Sequence, residues 1–211
     1  MCGRFTLSVD DATLKRHLRT YYSVDDAGIA HTPRYNIAPS QMVLTIIRHN
    51  GTHRVGEIPW GFVGLHSSHK PLINARSEQV EEKPTFKRSF ARRRCLVLSD
   101  GFYEWDRGKT PYHITPQQGV VAFAAIYSKP TAHSPAGVAI LTKAASDSMA
   151  GVHPRMPVML SVEAAKAYLR GESLSDMNQW TRQHAIARVH TTPVHSMVGN
   201  PANDTPAIFT K

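Results

Sequence analysis

Met42 to Arg48 is an apolar, largely β-branched run that stops at Asn50-Gly51 and is followed by a second run from Val55 to Phe62. Asn-Gly supplies the positive-φ pair of a two-residue turn, so the pattern predicts a β-hairpin. Shorter runs bounded by Gly, Pro or Asp predict further strands at Cys95–Leu98, Phe102–Trp105, Tyr112–Thr115, Val120–Tyr127 and Val138–Thr142. Helical spacing is rarer. Leu14, Leu18 and Tyr21 share one face of a helix that Ser8 and Asp11 can cap, and Ser161 opens a second helix over Val162–Arg170 that Gly171 stops. Strands joined by hairpin-length turns, with helices towards the ends, predict an α+β fold: a compact, mostly antiparallel sheet or open barrel with a few flanking helices. No repeat or long linker divides the chain, which reads as one domain over residues 1–211.

Composition adds a core and a partner class. With 41% hydrophobic and 19% charged residues, the 211-residue chain can fill an interior, which excludes disorder as its main state. The longest strongly apolar run, Val120 to Tyr127, is too short to cross a bilayer, so no membrane partner is expected. The first residues lack the apolar stretch of a secretory leader, which places the protein in the reducing cytoplasm with Cys2 and Cys95 as thiols. The net charge is +9, and Lys83, Lys87, Arg88, Arg92, Arg93 and Arg94 follow one another without an intervening acid. Such a block suits a polyanion such as nucleic acid, or else is a solvated face.

The usual catalytic signatures are missing, and the histidines form no metal-ligand spacing beside Cys or carboxylate clusters, so neither a metal nor a cofactor is expected. Ser67 and Lys70 match a serine-lysine acyl-transfer pattern, but its companion motifs are absent. Cys2 is more informative. Initiator methionine is readily removed before a small residue, leaving an α-amine and a thiol on adjacent carbons. That pair traps aldehydes: the amine forms an imine and the thiol closes a thiazolidine ring. Strand alternation sends Asn74, Arg76 and Glu78 to one face. Glu104 stands among Phe102, Tyr103 and Trp105, where burial would raise its pKa toward the range useful for proton transfer. His153 and Arg155 are held in a Pro-rich loop able to present an acid and a phosphate ligand. Each has a plainer reading as well: an incidental cysteine, a strand glutamate on an outer face, a turn histidine.

Seven segments, in order, resemble the SRAP (SOS response-associated peptidase) family of abasic-site processing proteins: MCGRF at the start, RYNIAPS from Arg34, WGF from Trp60, LINARSE from Leu72, RCLVLSDGFYEW from Arg94, HPRMPV from His153 and VHSMVGNP from Val194. The resemblance implies capture of the ring-opened aldehyde of an abasic site in single-stranded DNA by the mature N-terminal cysteine, matched by Cys2. The product is a thiazolidine DNA-protein crosslink that shields the lesion during the DNA damage response. By the same match Asn74 orients the N-terminal residue, Glu104 shuttles protons, and His153 assists opening of the sugar. Arg4, Arg76 and Arg155 would contact the DNA backbone, with Pro39, Trp60 and Trp105 as walls. The resemblance further implies self-cleavage of Met1, a lesser lyase activity by β-elimination, a monomer, replication-fork proteins as further partners, and a cytoplasmic protein that joins the nucleoid on DNA. The chain departs from the family at Val63-Gly64-Leu65-His66, at Pro154 where an acid is usual, and in a short stretch from Gly171 to Val194. Two other classes compete: a thiol or N-terminal-nucleophile peptidase acting on other proteins, and a noncovalent single-strand binder using only the basic block and aromatics.

Overall fold

The Asn50-Gly51 turn forms with φ of 49° and 83°, the left-handed pair its sequence favours. In a computed structural model of the chain, residues 2–24, 28–63, 71–132, 135–171 and 176–210 are described. In chain order the elements are β1 (Phe5–Leu7), α1 (Asp11–His17), β2 (Arg34–Ile37), β3 (Met42–His49), β4 (Thr52–Pro59), β5 (Asn74–Arg76), α2 (Pro84–Arg92), β6 (Arg94–Ser99), β7 (Gly101–Trp105), β8 (Pro111–Pro116), β9 (Val121–Ser128), β10 (Gly137–Ala144), β11 (Arg155–Pro157), β12 (Met159–Leu160), α3 (Val162–Arg170), α4 (Met177–His184) and β13 (Val189–Pro193). Ser67, Lys70 and the departure at Gly64 to His66 lie outside the described residues.

The strands form two sheets, one ordered β13-β8-β7-β1-β2 and one ordered β11-β10-β9-β6-β3-β4, with β12 on β9 and β5 on β10. Pairing is antiparallel except for β5, which runs parallel to β10 with Asn74 opposite Ile140. The segment 155–160 wedges between β9 and β10: the Val158 N–H donates to the Leu141 carbonyl, and the Val158 carbonyl accepts from Ala124. The architecture is α+β and dominated by antiparallel sheet, as the pattern predicts, and it does not close into a barrel.

The sheets meet on aromatic rings. Phe5 of β1 packs edge-on against Trp60 at 5.1 Å and against Phe123 of β9 at 5.7 Å, while Phe102 of β7 reaches Phe123 at 6.3 Å. All four rings are buried, and each contributes on the order of 2 kcal/mol of burial free energy. This interface fixes β1 and β7 of one sheet against β9 of the other.

Three local readings change. Asp10, not Ser8 or Asp11, caps α1 by accepting from the Thr13 N–H, because Ser8 turns its N–H and hydroxyl to Asp100. Beyond α1 the chain widens into one π turn over Leu18–Tyr22, which shifts the apolar face by a residue: Tyr22 is buried and Tyr21 is exposed. The basic block is largely a helix. Phe86, Ser89 and Phe90 of α2 face inward at helical spacing, and Lys87, Arg88 and Arg92 face out. Arg94 leaves that outer face and lies over the Phe90 ring at 4.4 Å.

Candidate active site

Cys2 enters the fold through β1. Phe5 pairs with Phe102, and the Tyr103 N–H donates to the Arg4 carbonyl at 2.9 Å, so extending this antiparallel register sets Cys2 beside Glu104 and Trp105 of β7. Asn74 arrives from the other sheet. Its Nδ2 donates to the Cys2 carbonyl at 2.8 Å, while its Oδ1 is buried without a hydrogen-bond partner among the described residues. The loop leading into β11 brings His153, whose Nδ1 lies 3.7 Å from Glu104 Oε1. Four residues separated by up to 151 positions thus converge at the seam between the two sheets.

Each is held by local chemistry. Asn74 sits on β5, braced by Trp60, whose Nε1 donates to the neighbouring Ile73 carbonyl at 2.9 Å. His153 Nδ1 lies 3.1 Å from the Arg155 backbone N and 3.0 Å from the Arg155 carbonyl oxygen, so the backbone of β11 holds this edge of the ring. Pro154, the departure in this loop, is exposed, and its carbonyl accepts from the Ala145 N–H. The ring thus reaches Glu104 without an acid at that position.

Electrostatics separate the groups. Glu104 is 4% exposed, and burial pushes its carboxyl above the ordinary range, with His153 among the positive groups pulling the other way. It is therefore not a glutamate on an outer face. Burial also pushes the Cys2 thiol well up, and the Glu104 charge adds to this, so the sulfur stays protonated through neutral pH. Both Cys2 and Cys95 are free thiols.

The residues expected at DNA divide into two groups. Arg4 turns inward, donating from Nη1 to Asn36 Oδ1 at 2.9 Å and the Val198 carbonyl at 2.7 Å, and from Nη2 to the Gly199 carbonyl at 3.1 Å. Arg155 forks onto Glu78 at 2.5 and 3.0 Å and also donates to Thr142. Burial alone would raise the Glu78 carboxyl, but Arg155 offsets this and holds it below its ordinary value. Trp60 is fully buried. Arg76 remains exposed, with no ion pair among the described residues, and Pro39 and Trp105 are partly exposed.

Sequence reasoning missed two supports. Asn36, buried in β2, donates from Nδ2 to the carbonyls of Val198, Asn200 and Asn203. Asp204 accepts from the Tyr35 and Asn36 N–H groups and from Arg34 Nε. β2 reads Arg34-Tyr35-Asn36-Ile37, too polar to mark Asn36 as inward, and only its burial shows that the amide has to find partners.

The sequence model of the SOS response associated peptidase (SRAP) family matches residues 1–201. The abasic site processing protein YoqW of Bacillus subtilis is 30% identical over 99% of both chains. The abasic site processing protein YedK of Escherichia coli is 32% identical over 82% of this chain and 81% of its own. Among solved structures, a phage-related protein from Bordetella bronchiseptica superposes with a TM-score of 0.75 at 26% identity, covering 92% of this chain and 95% of its own. A protein from Bacteroides thetaiotaomicron gives a TM-score of 0.77 at 19% identity over 100% of this chain and 99% of its own.

Proposed function

Because the chain belongs to the SOS response associated peptidase family and gathers Cys2, Asn74, Glu104 and His153 at one seam, we propose that it processes abasic sites by covalent capture of their aldehyde. In this reading the Met1–Cys2 bond is first hydrolysed, which frees the Cys2 α-amine. The amine adds to the aldehyde carbon of the ring-opened sugar in single-stranded DNA, and the hydroxyl leaves as water to give an imine. The thiol then adds to the imine carbon: an S–C bond forms, and the thiol proton moves to the nitrogen. The net change is protein plus DNA less one water.

The observation that carries this reading is geometric: Cys2, tied to Asn74, stands beside the buried Glu104 carboxyl, which His153 faces. Glu104 is positioned to give a proton to the departing hydroxyl and to take one from the thiol, and His153 to protonate the ring oxygen as the sugar opens. Asn74 holds the Cys2 carbonyl, and its free Oδ1 offers an acceptor to the new α-amine. A peptidase that works through a preformed thiolate would need a positive neighbour to lower the thiol pKa, whereas burial raises it here; an N-terminal-nucleophile peptidase is separated by substrate, since it would cleave peptides and ignore abasic DNA. A noncovalent binder would leave the convergence of four groups unused.

Intact mass of untagged protein, before and after incubation with an oligonucleotide carrying one abasic site, tests the proposal. The expected product is the methionine-free protein plus DNA less water, absent from Cys2→Ala. No adduct from a correctly processed chain would overturn it.

A further inference from the structure

Arg4 and Arg155 are committed to partners inside the fold, so most phosphate charge near the site has to be met by other cations. A cavity of about 200 Å³ opens between the first turns of α2 and the chain leaving β9, lined by Thr85, Arg88, Ser89, Arg93 and Lys129 and floored by Phe62. Among the described residues, no acidic side chain lines it. Arg88 and Lys129 are exposed and form no ion pair among the described residues. Arg93 is half-buried; it places Nε and Nη2 on Ser89 Oγ and Nε on the Tyr127 carbonyl, and burial together with the charges of Arg88 and Arg92 disfavours its cation. Like charges gathered around hydroxyls without a counter-ion are relieved by an anion.

The cavity is also placed for the strand that would enter the site. Ser128 pairs with Gly137 on β10, three residues from Ile140, the partner of Asn74, which is about 10 Å along an extended chain. Phe62 bridges Leu72, two residues before Asn74. Phe62 is buried and offers no open ring face for a base to stack on, whereas the guanidinium and hydroxyl groups match phosphate oxygens. We infer that this cavity is a second subsite that holds a backbone phosphodiester of the captured DNA strand a few nucleotides from the lesion. The inference rests on the abasic-site reading for the identity of the strand.

The test uses the double variant Arg88→Glu/Lys129→Glu, since neither side chain supports the fold, and compares abasic oligonucleotides with two or with ten nucleotides on each side. Capture of the long strand at sub-saturating protein is expected to slow on the order of tenfold, with capture of the short one unchanged. The salt slope of binding to an undamaged strand should fall by about 0.7 for each phosphate no longer neutralised. A control with the same charge change on the β3–β4 hairpin, Arg48→Glu/Arg54→Glu, should keep the wild-type length dependence. Wild-type capture of the long strand by the cavity variant, equal slowing on the short strand, or equal slowing by the control would overturn the subsite. If wild-type protein forms no adduct with either oligonucleotide, the abasic-site reading fails, and the salt slope on undamaged DNA still decides the subsite.

Discussion

At the scale of single residues, Glu104 sets function against stability. Its folded pKa is raised, so the unfolded chain releases this proton first, and stability falls as pH rises from the ordinary carboxylate value through the folded one. Glu104→Gln is therefore expected to melt at a higher temperature than wild type at neutral pH, by calorimetry, while capturing abasic DNA at least about 100-fold more slowly. His113 shows the reverse sign. Its ring stacks on Phe209 at 4.8 Å and lies 4.9 Å from Tyr103. The Thr6 hydroxyl gives its one proton to Asp100 and so receives the His113 Nε2–H at 3.2 Å. Burial lowers the His113 pKa to about 4. The unfolded ring, with a pKa near 6.5, protonates first on acidification, so about 3 kcal/mol of stability is lost between pH 6.5 and 4. His113→Phe should flatten the melting temperature across that range, and a variant with an unchanged acid slope would refute the assignment.

At the scale of elements, the strands were legible wherever alternation or an apolar run ended at a turn residue, as in β6, β7 and the β3–β4 hairpin. Elements whose reason for existing lies elsewhere in the chain were not. The strand alternation read through Glu78 holds only over the three residues of β5, where β10 offers a parallel edge, and gives way to a 3-10 turn at Ser77–Gln79. The π turn after α1 moves Tyr21 out and Tyr22 in, a phase shift that no helical spacing announces. The candidate site was legible as residue types in odd places, a carboxylate among aromatics and an asparagine in a strand. The inward commitment of Arg4 and Arg155 was not, since their partners lie 194 and 77 residues away. The clearest element-scale test is Asp204→Ala, which releases β2 from the C-terminal segment. We expect residues 194–209 to lose amide-exchange protection by at least about tenfold while β6 and β9 keep theirs.

At the scale of the whole molecule, a charge of +9 makes an encounter with DNA salt-dependent, whereas the adduct we propose is covalent. Raising salt from 50 to 200 mM should slow capture at sub-saturating protein by at least about tenfold, and the same salt added after capture should leave the adduct intact on a denaturing gel. An adduct that dissolves in salt would return the protein to the noncovalent class.

The tie between Arg4 and the Val198 carbonyl has a further consequence for how the protein is made. Arg4 leaves the ribosome 194 residues before its partner, about 10 to 40 s earlier at ordinary elongation rates. Early in that interval the β1 strand lacks β2's clamp, β7's register and Asn74, and Cys2 is open to whatever enzyme trims the nascent chain. The same cysteine is fully enclosed once the fold is complete. If an outside aminopeptidase performs the removal of Met1 that the proposed function requires, the interval before the later segments close around Cys2 is when that residue is most open to it.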